Sequence, residues 1–463
     1  MKIIIENIEI NDIININLLL IRNKNISTMG RSMEAFKITQ RNIYKDRILK
    51  MLNNENLVIV TGVRSVGKSC IVMQLEEELR KKIADQAQTI RINFETIDHA
   101  KITASELIYF LKNQYIEEKI NYIILDEITH VIDWENAINY FYQIKNCKLI
   151  LVSSHKCIFS KKLLALQKKR NNVIDVFPLS LGEFIRFQGF KEATTSSSLY
   201  NKKFRRLGDE TYNIKDIYKY YITYGGLPTL KPEHMDGEQA WIIMDGSYGA
   251  IVTRDIMDVG TDKGGNVVTD TLLLRAIITI MAKSLGENIA ATFIGDQVAR
   301  DLGRFASTKV IESYIQALLD AHLFYISKRF DIKTNRIMQT LARYYIVDAG
   351  FHNYVADIHI GDEKQLLENK VFFELLRRGY KVYNGIFGEE EISFVAIRGE
   401  EKVFIQVTDD ISEEHLEILC SPFQKMREEN KKIIIALGAK KGMARRDYNV
   451  VDALEFLMGF EIN

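Results

Sequence analysis

The stretch Gly62-Val-Arg-Ser-Val-Gly-Lys-Ser69 stands between the apolar run Leu57-Val-Ile-Val60 and a helix-compatible segment that begins at Lys68. This is a phosphate-binding loop set at a strand-to-helix junction. Gly62 and Gly67 let the backbone curl with its N–H groups facing inward, where the loop and the following helix N-terminus hold phosphates. The expected ATP-binding segment is therefore Gly62, Val63, Arg64, Ser65, Val66 and Gly67, continued by Lys68, Ser69 and Cys70. Lys68 reaches the β- and γ-phosphates, and Ser69 places its hydroxyl on Mg²⁺.

The other half of the expected site is Asn121-Tyr-Ile-Ile-Leu-Asp126-Glu127, an apolar strand ending in two carboxylates. Asp126 is expected to hold the metal through water, and Glu127 to polarise the attacking water. Next comes Lys148-Leu-Ile-Leu-Val-Ser153, a third strand of buried character. Ser153 is either a sensor hydroxyl for the γ-phosphate or a helix cap.

Apolar strands and helical patterns alternate from Leu57 to Phe177, which predicts an α/β core with a parallel sheet. Strands are expected near 57–61, 89–94, 122–126, 148–153 and 173–177. Crossover helices begin at Lys68, Ala104, Asn136 and Lys161. Beyond Phe177 the pattern turns helical: a short apolar helix over 179–190, a Ser/Thr- and charge-rich loop over 191–213, and lid helices over 213–224 and 238–257.

Four of these segments together resemble the prokaryotic AAA-like P-loop ATPases. They are Thr61-Gly-Val-Arg-Ser-Val-Gly-Lys-Ser69, Leu125-Asp-Glu-Ile128 with Trp134-Glu135 downstream, Phe177-Pro-Leu-Ser-Leu-Gly-Glu-Phe184, and Tyr224-Gly-Gly-Leu-Pro228. The similarity runs from about Arg41 to the C-terminus. It implies an ATPase core followed by a winged-helix segment and a C-terminal domain related to restriction-endonuclease folds. On that reading the chain divides into an N-terminal extension (1–32), the ATPase core (33–190), a linker loop and helical lid (191–262), a winged-helix-like segment (263–350) and a degenerate nuclease-like domain (351–463). Residues 1–32 lie outside the resemblance and read either as a short extension or as sequence upstream of a start at Met29 or Met33.

The winged-helix reading rests on helices over 271–285, 292–302 and 308–319, the last capped by Ser307, and on a hairpin of strands 323–327 and 336–340. Such units often bind DNA, yet the third helix carries one basic residue, Lys309. Lys328, Arg329, Lys333 and Arg336 on the hairpin are the candidate phosphate contacts, against an interdomain packing role. In the last domain a helix over 365–377 precedes strands at 380–383, 391–397, 402–407 and 432–436. Active nucleases of this resemblance need an Asp and then a Glu-x-Lys to hold metal and orient the nucleophile. Here Ser393 and Gln406-Val-Thr408 stand at those positions, with Glu368 or Glu374 as the helical acid. Neither Ser nor Gln replaces an anionic metal ligand well, so the metal site is read as lost.

Composition fits a multidomain intracellular chain. It has 463 residues, 47% apolar, with 62 Lys and Arg against 61 Asp and Glu. No global positive charge advertises nucleic acid, so a DNA surface has to be a local patch. Cys70, Cys147, Cys157 and Cys420 make no C-x-x-C pair, as expected of reduced thiols in a cytoplasmic protein. His155-x-Cys157 is too small a cluster for zinc. No apolar run approaches the roughly 20 residues that span a bilayer, and Glu6, Glu9 and Asp12 argue against a secretory signal.

The expected function is ATP hydrolysis with Mg²⁺, acting as a nucleotide-driven conformational switch. Lys68, Ser69, Asp126 and Glu127 leave one role open, a cation for the charge that develops on the γ-phosphate. Arg170 and Arg254 are the candidates. The family resemblance favours Arg170, acting in cis or across the boundary of a homo-oligomer. The alternatives are an ATP-regulated DNA-binding protein and an ATP-dependent nuclease. A protein client is expected; a membrane is not.

Overall fold

The computed structural model describes residues 40–461, except 84–85, 96–101, 160–162, 164–171, 195, 197, 207–209, 232–236, 259–267, 358–362, 427–429, 440–443 and 446–447. The expected extension 1–32, Arg170 and the start of the helix expected from Lys161 lie outside the described residues. The chain forms two compact units. The first runs through Gly62 and resumes over Gly67–Val176; the second comprises Val63–Val66 and Phe177–Asn463.

In the first unit, helix α1 (Asn42–Asn54) leads into β1 (Leu57–Thr61). Then follow α2 (Lys68–Ile83), β2 (Ala87–Asn93), α3 (Ala104–Gln114), β3 (Ile120–Asp126), α4 (Trp134–Tyr142), β4 (Cys147–Ser153) and β5 (Val173–Asp175). The strands form a parallel sheet in the order β2-β3-β4-β1-β5. Every residue of β1 is buried, as a parallel strand with both faces covered requires. Register pairs Thr61 with Ser153 and Asp126 with Val152, so the C-terminal ends of β1, β4 and β3 lie level. One face of the sheet packs Ile123, Leu125, Leu149 and Leu151 against Leu107, Leu111, Trp134, Ile138 and Phe141. Each fully buried side chain of this size contributes about 1.5–3 kcal/mol. The end of β3 and the start of β1's loop are thereby held on a dry, rigid support. Helix α3 begins where Thr103 and Glu106 form a reciprocal capping box. Helix α4 starts two residues earlier than the apolar pattern predicts, because Asp133 turns the chain in the left-handed conformation, φ 54°.

The second unit opens with α5 (Leu181–Phe187), capped reciprocally by Ser180 and Glu183. The segment read as a loop carries three two-residue strands, β6 (Lys191–Glu192), β7 (Phe204–Arg205) and β8 (Thr211–Tyr212), paired antiparallel. Buried Phe204 and the edge contact of Phe190 with Tyr212 anchor them, and runs this short leave no readable alternation. Helix α6 (Ile214–Tyr224) is capped by Asn213 and ends at Gly225, φ +81°. The single lid helix expected over 238–257 is α7 (Gly237–Ala250) continued by a π-helical segment, Ile251–Met257.

Helices α8 (Thr271–Lys283), α9 (Ala291–Leu302) and α10 (Thr308–Asp320) follow, Ser307 accepting the Val310 N–H as α10's cap. Strands β9 (Phe324–Asp331) and β10 (Arg336–Ile346) form an antiparallel hairpin, longer than expected. After α11 (Ala349–Ala356) and α12 (Glu363–Arg377) come β11 (Lys381–Phe387), β12 (Glu390–Arg398), β13 (Glu401–Thr408), α13 (Glu413–Lys425), β14 (Lys431–Ala436), β15 (Ala444–Arg445), β16 (Tyr448–Asp452) and α14 (Ala453–Leu457). The hairpin joins these strands in one mixed sheet, β10-β9-β11-β12-β13-β14-β16-β15. Tyr345 of β10 stacks on Phe372 of α12, ring centroids 4.2 Å apart, which seats α12 against the sheet.

Candidate nucleotide site

Gly62 follows β1 with φ +146°, and a Cβ there would lie 2.3 Å from the carbonyl oxygen of Val176. Only glycine fits, because the Val176 N–H is bonded at 2.7 Å to the carbonyl of Thr61 and holds that strand close. Gly67 (φ +96°) and Ser65 (φ +65°) complete the turn. Lys68, buried at the start of α2, donates from Nζ to the carbonyl of Gly62 at 2.8 Å. That bond satisfies an ammonium otherwise out of water.

Asp126 closes β3 with its carboxylate buried. Burial pushes its pKa up, while a hydrogen bond from Ser69 and the charge of Lys68 pull it back. Its Oδ2 is buried with no hydrogen-bond partner among the described residues. An orphaned carboxylate oxygen beside a serine hydroxyl fits a hard cation such as Mg²⁺, which takes oxygen ligands and keeps several waters. Glu127 follows in the left-handed region, φ 53° and ψ 43°. A non-glycine residue held there stores about 1–3 kcal/mol, a cost that concentrates at functional sites. The conformation is fixed by its N–H on the Val152 carbonyl at 2.8 Å and by its own carbonyl at 3.0 Å from Nδ1 of His130.

The level strand ends thus bring together Gly62, Lys68, Ser69, Asp126 and Glu127. Ser153 is fully buried, and its hydroxyl is engaged locally: it donates to the His155 carbonyl at 2.9 Å and accepts the His155 N–H at 3.2 Å. Cys70 is exposed on α2. Val63 and Val66 are buried. Arg64 makes a two-point ion pair inside the second unit, Nε to Oδ2 of Asp255 at 2.9 Å and Nη2 to Oδ1 at 2.7 Å. Asp255 sits in the π-helical segment next to Arg254, which is exposed. No local pattern in Thr253-Arg-Asp255 announces a partner 191 residues away.

A second polar cluster lies in the eight-stranded sheet, around a cavity of about 380 Å³. Glu368, Ser393 and Gln406 line it; Glu374 instead pairs with Arg377 and Arg378. Of the two expected helical acids, Glu368 therefore faces the cavity. Arg343 also lines it, a residue missed because the expected hairpin strand ended at 340.

Residues 54–185 match the family described as AAA domain, and residues 215–361 match a domain of unknown function (DUF8612). With the strand order and the loop, the first match makes this segment an AAA-like P-loop nucleotide-binding domain. The chain is 28% identical over 384 residues to an uncharacterized protein of Haemophilus influenzae, covering 82% of this chain and 89% of that one. It is 24% identical over 390 residues to an uncharacterized protein of Methanocaldococcus jannaschii, covering 83% and 81%. Among solved structures it is similar to the Walker-type ATPase of Pyrococcus abyssi (TM-score 0.44, 15% identity, 69% of this chain and 96% of that one). It is also similar to Cdc6p of Pyrobaculum aerophilum (TM-score 0.29, 12% identity, 70% and 94%). Among the described residues no helix is long and apolar enough to cross a membrane.

Proposed function

We propose that this protein binds ATP with Mg²⁺ and hydrolyses it, and that nucleotide occupancy drives a conformational switch. The observation that carries the reading is the orphaned Oδ2 of Asp126 beside the Ser69 hydroxyl, with Lys68 and Glu127 at neighbouring strand ends. Lys68 exchanges the Gly62 carbonyl for phosphate oxygens. Ser69 and Asp126 would hold Mg²⁺, which would supply charge neutralisation at the phosphates. Glu127 orients and polarises the attacking water. Phosphoryl transfer needs this positioning and charge more than covalent chemistry. Arg64 supports the switch: it lies in the phosphate loop yet is held by Asp255, so phosphates entering the loop act on a residue already tied to the π-helical segment.

The missing cation is assigned to Arg170, with Arg254 next. Arg170→Ala is expected to lower turnover by a larger factor than it weakens ATP binding, because on this reading the arginine acts on charge that develops in the transition state. If Arg170 acts across a subunit boundary, mixing this variant with Glu127→Gln protein is expected to restore some hydrolysis.

Two further readings have specific support. Lys328, Lys333 and Arg336 are exposed on the β9–β10 hairpin, which suits phosphate contact by a winged helix. The same hairpin is built into the eight-stranded sheet, which favours packing over DNA binding. The nuclease reading is disfavoured by Ser393 and Gln406, and purified protein with Mg²⁺ or Mn²⁺ is expected to leave linear and supercoiled DNA uncut. ATP turnover with and without DNA, at several salt concentrations and alongside mass photometry in each nucleotide state, separates these readings.

A further inference from the structure

The cavity in the eight-stranded sheet already contains a cation. Arg343 and Tyr345 are two residues apart on β10, and Glu391 and Ser393 two apart on β12, so each pair shares a face of the sheet. Arg343 donates from Nη1 to Oε1 of Glu368 at 3.2 Å and from Nη2 to Oε2 of Glu391 at 2.6 Å. The Tyr345 hydroxyl donates to the same Glu368 oxygen at 2.7 Å, and Asn288 Nδ2 to Oε1 of Glu391 at 2.8 Å. Gly286, φ +77°, brings its backbone so near that a Cβ would lie 3.3 Å from Glu368 Oε1. Both carboxylates are therefore held in place, Glu368 mostly buried and Glu391 half exposed, and the side chain between them belongs to Arg343, a residue only 6% exposed.

The two neutral side chains beside Glu391, Ser393 and Gln406, do not suit a divalent metal, and Lys364 brings a second positive charge to the cavity lining. Gln406 spends Oε1 on the N–H and hydroxyl of Ser393, at 3.0 and 3.1 Å. It spends Nε2 on the carbonyls of Glu391 and Leu419, at 3.2 and 3.1 Å. A hard cation needs free anionic oxygens, and here the two neutral side chains satisfy each other. Burial disfavours the charged form of Arg343, yet Tyr345, Glu368 and Glu391 outweigh it and hold its pKa above the ordinary arginine value. The guanidinium stays charged throughout the working pH range.

We propose that Arg343 is a resident cation standing where a divalent metal would otherwise sit, so that Glu368 and Glu391 become a metal site only when the guanidinium is removed. This claim is independent of the nucleotide site. The test uses full-length, nucleotide-free protein carrying Asp126→Asn, so that the carboxylate of the P-loop site contributes no metal binding. Mn²⁺ is titrated by calorimetry, and bound ion is read by electron paramagnetic resonance. The parent is expected to show no Mn²⁺ binding that Glu368→Gln abolishes. Adding Arg343→Met is expected to create one site per chain, with affinity at least roughly tenfold above the parent, and adding Glu368→Gln is expected to remove it. Arg343→Lys keeps a charge between the carboxylates and is expected to show no site. Circular dichroism establishes that each variant is folded. Should Arg343→Met not fold, Arg343→Gln replaces it, and Mn²⁺ is expected to raise its unfolding temperature only while Glu368 is present. A folded, charge-removed variant that gains neither affinity nor thermal stabilisation overturns the proposal, as does parental Mn²⁺ binding that disappears with Glu368→Gln.

Discussion

The ammonium of Lys68 donates to the carbonyl oxygen of Gly62 at 2.8 Å, so the lysine of the phosphate loop is parked on the loop's own first residue. Phosphate oxygens offer the same ammonium an anionic partner, which adds the attraction of opposite charges to a hydrogen bond whose donor is already charged. Lys68→Ala is therefore expected to weaken ATP binding by about 10- to 100-fold, the equivalent of one hydrogen bond to a charged group. Calorimetric titration with a non-hydrolysable ATP analogue checks this; unchanged affinity would remove Lys68 from the site.

Gly62 has a different role, since a methyl group there meets the Val176 carbonyl at 2.3 Å and the φ of +146° is strained for any L-residue. Gly62→Ala is expected to cost about 1–3 kcal/mol in unfolding free energy from backbone strain and to abolish nucleotide binding by displacing the loop. Denaturant melts and the same titration read both effects. A fully stable variant with normal ATP affinity would contradict the packing described for β1.

Much of the first unit was legible in the sequence because fully buried parallel strands are continuously apolar, as Leu57–Val60, Tyr122–Leu125 and Leu149–Val152 are. The loop and the Asp126-Glu127 strand end followed from local spacing. What escaped were relationships between distant residues. Asp255 finds Arg64 across 191 positions, and Arg343 finds Glu368 and Glu391 only once β10 is a sheet strand rather than the tail of a short hairpin. The β6–β8 strands were missed because two-residue pairings carry no periodicity.

The Arg64–Asp255 pair leaves side chains only 10% and 3% exposed, so removing the carboxylate takes two hydrogen bonds from a guanidinium that is mostly out of water. Asp255→Ala is expected to cost about 3 kcal/mol, while Arg254→Ala, on the exposed neighbour, stays within about 0.5 kcal/mol. Urea unfolding of both variants tests the contrast. Equal effects would show that the pair does not hold the π-helical segment.

Lys370 of α12 lies with its ammonium 3.9 Å over the ring of Tyr221, facing Asp348 and Arg377. Burial lowers its pKa to about 8 from 10.5; Asp348 opposes that shift and Arg377 adds to it. Between those values the unfolded chain binds more protons than the folded one, so this residue makes stability rise with pH. Below about 8 the cost of the buried charge is fully present. The slope is at most about 1.4 kcal/mol per pH unit. Buried Tyr218 and Tyr221, whose pKa values are raised, act in the opposite sense at higher pH. The window to measure is therefore from about 8 to 9.5. Urea melts across it should give a rising stability that Lys370→Met flattens; parallel slopes would refute the assignment.

The central claim is that Glu127, held in the left-handed conformation at the end of β3, acts on the attacking water and not on the nucleotide's binding. The direct measurement is steady-state phosphate release by Glu127→Gln protein with saturating ATP and Mg²⁺, paired with ATP affinity. Turnover is expected to fall by at least about 100-fold, the scale of a lost general base, with affinity retained. Hydrolysis at the wild-type rate would contradict the account.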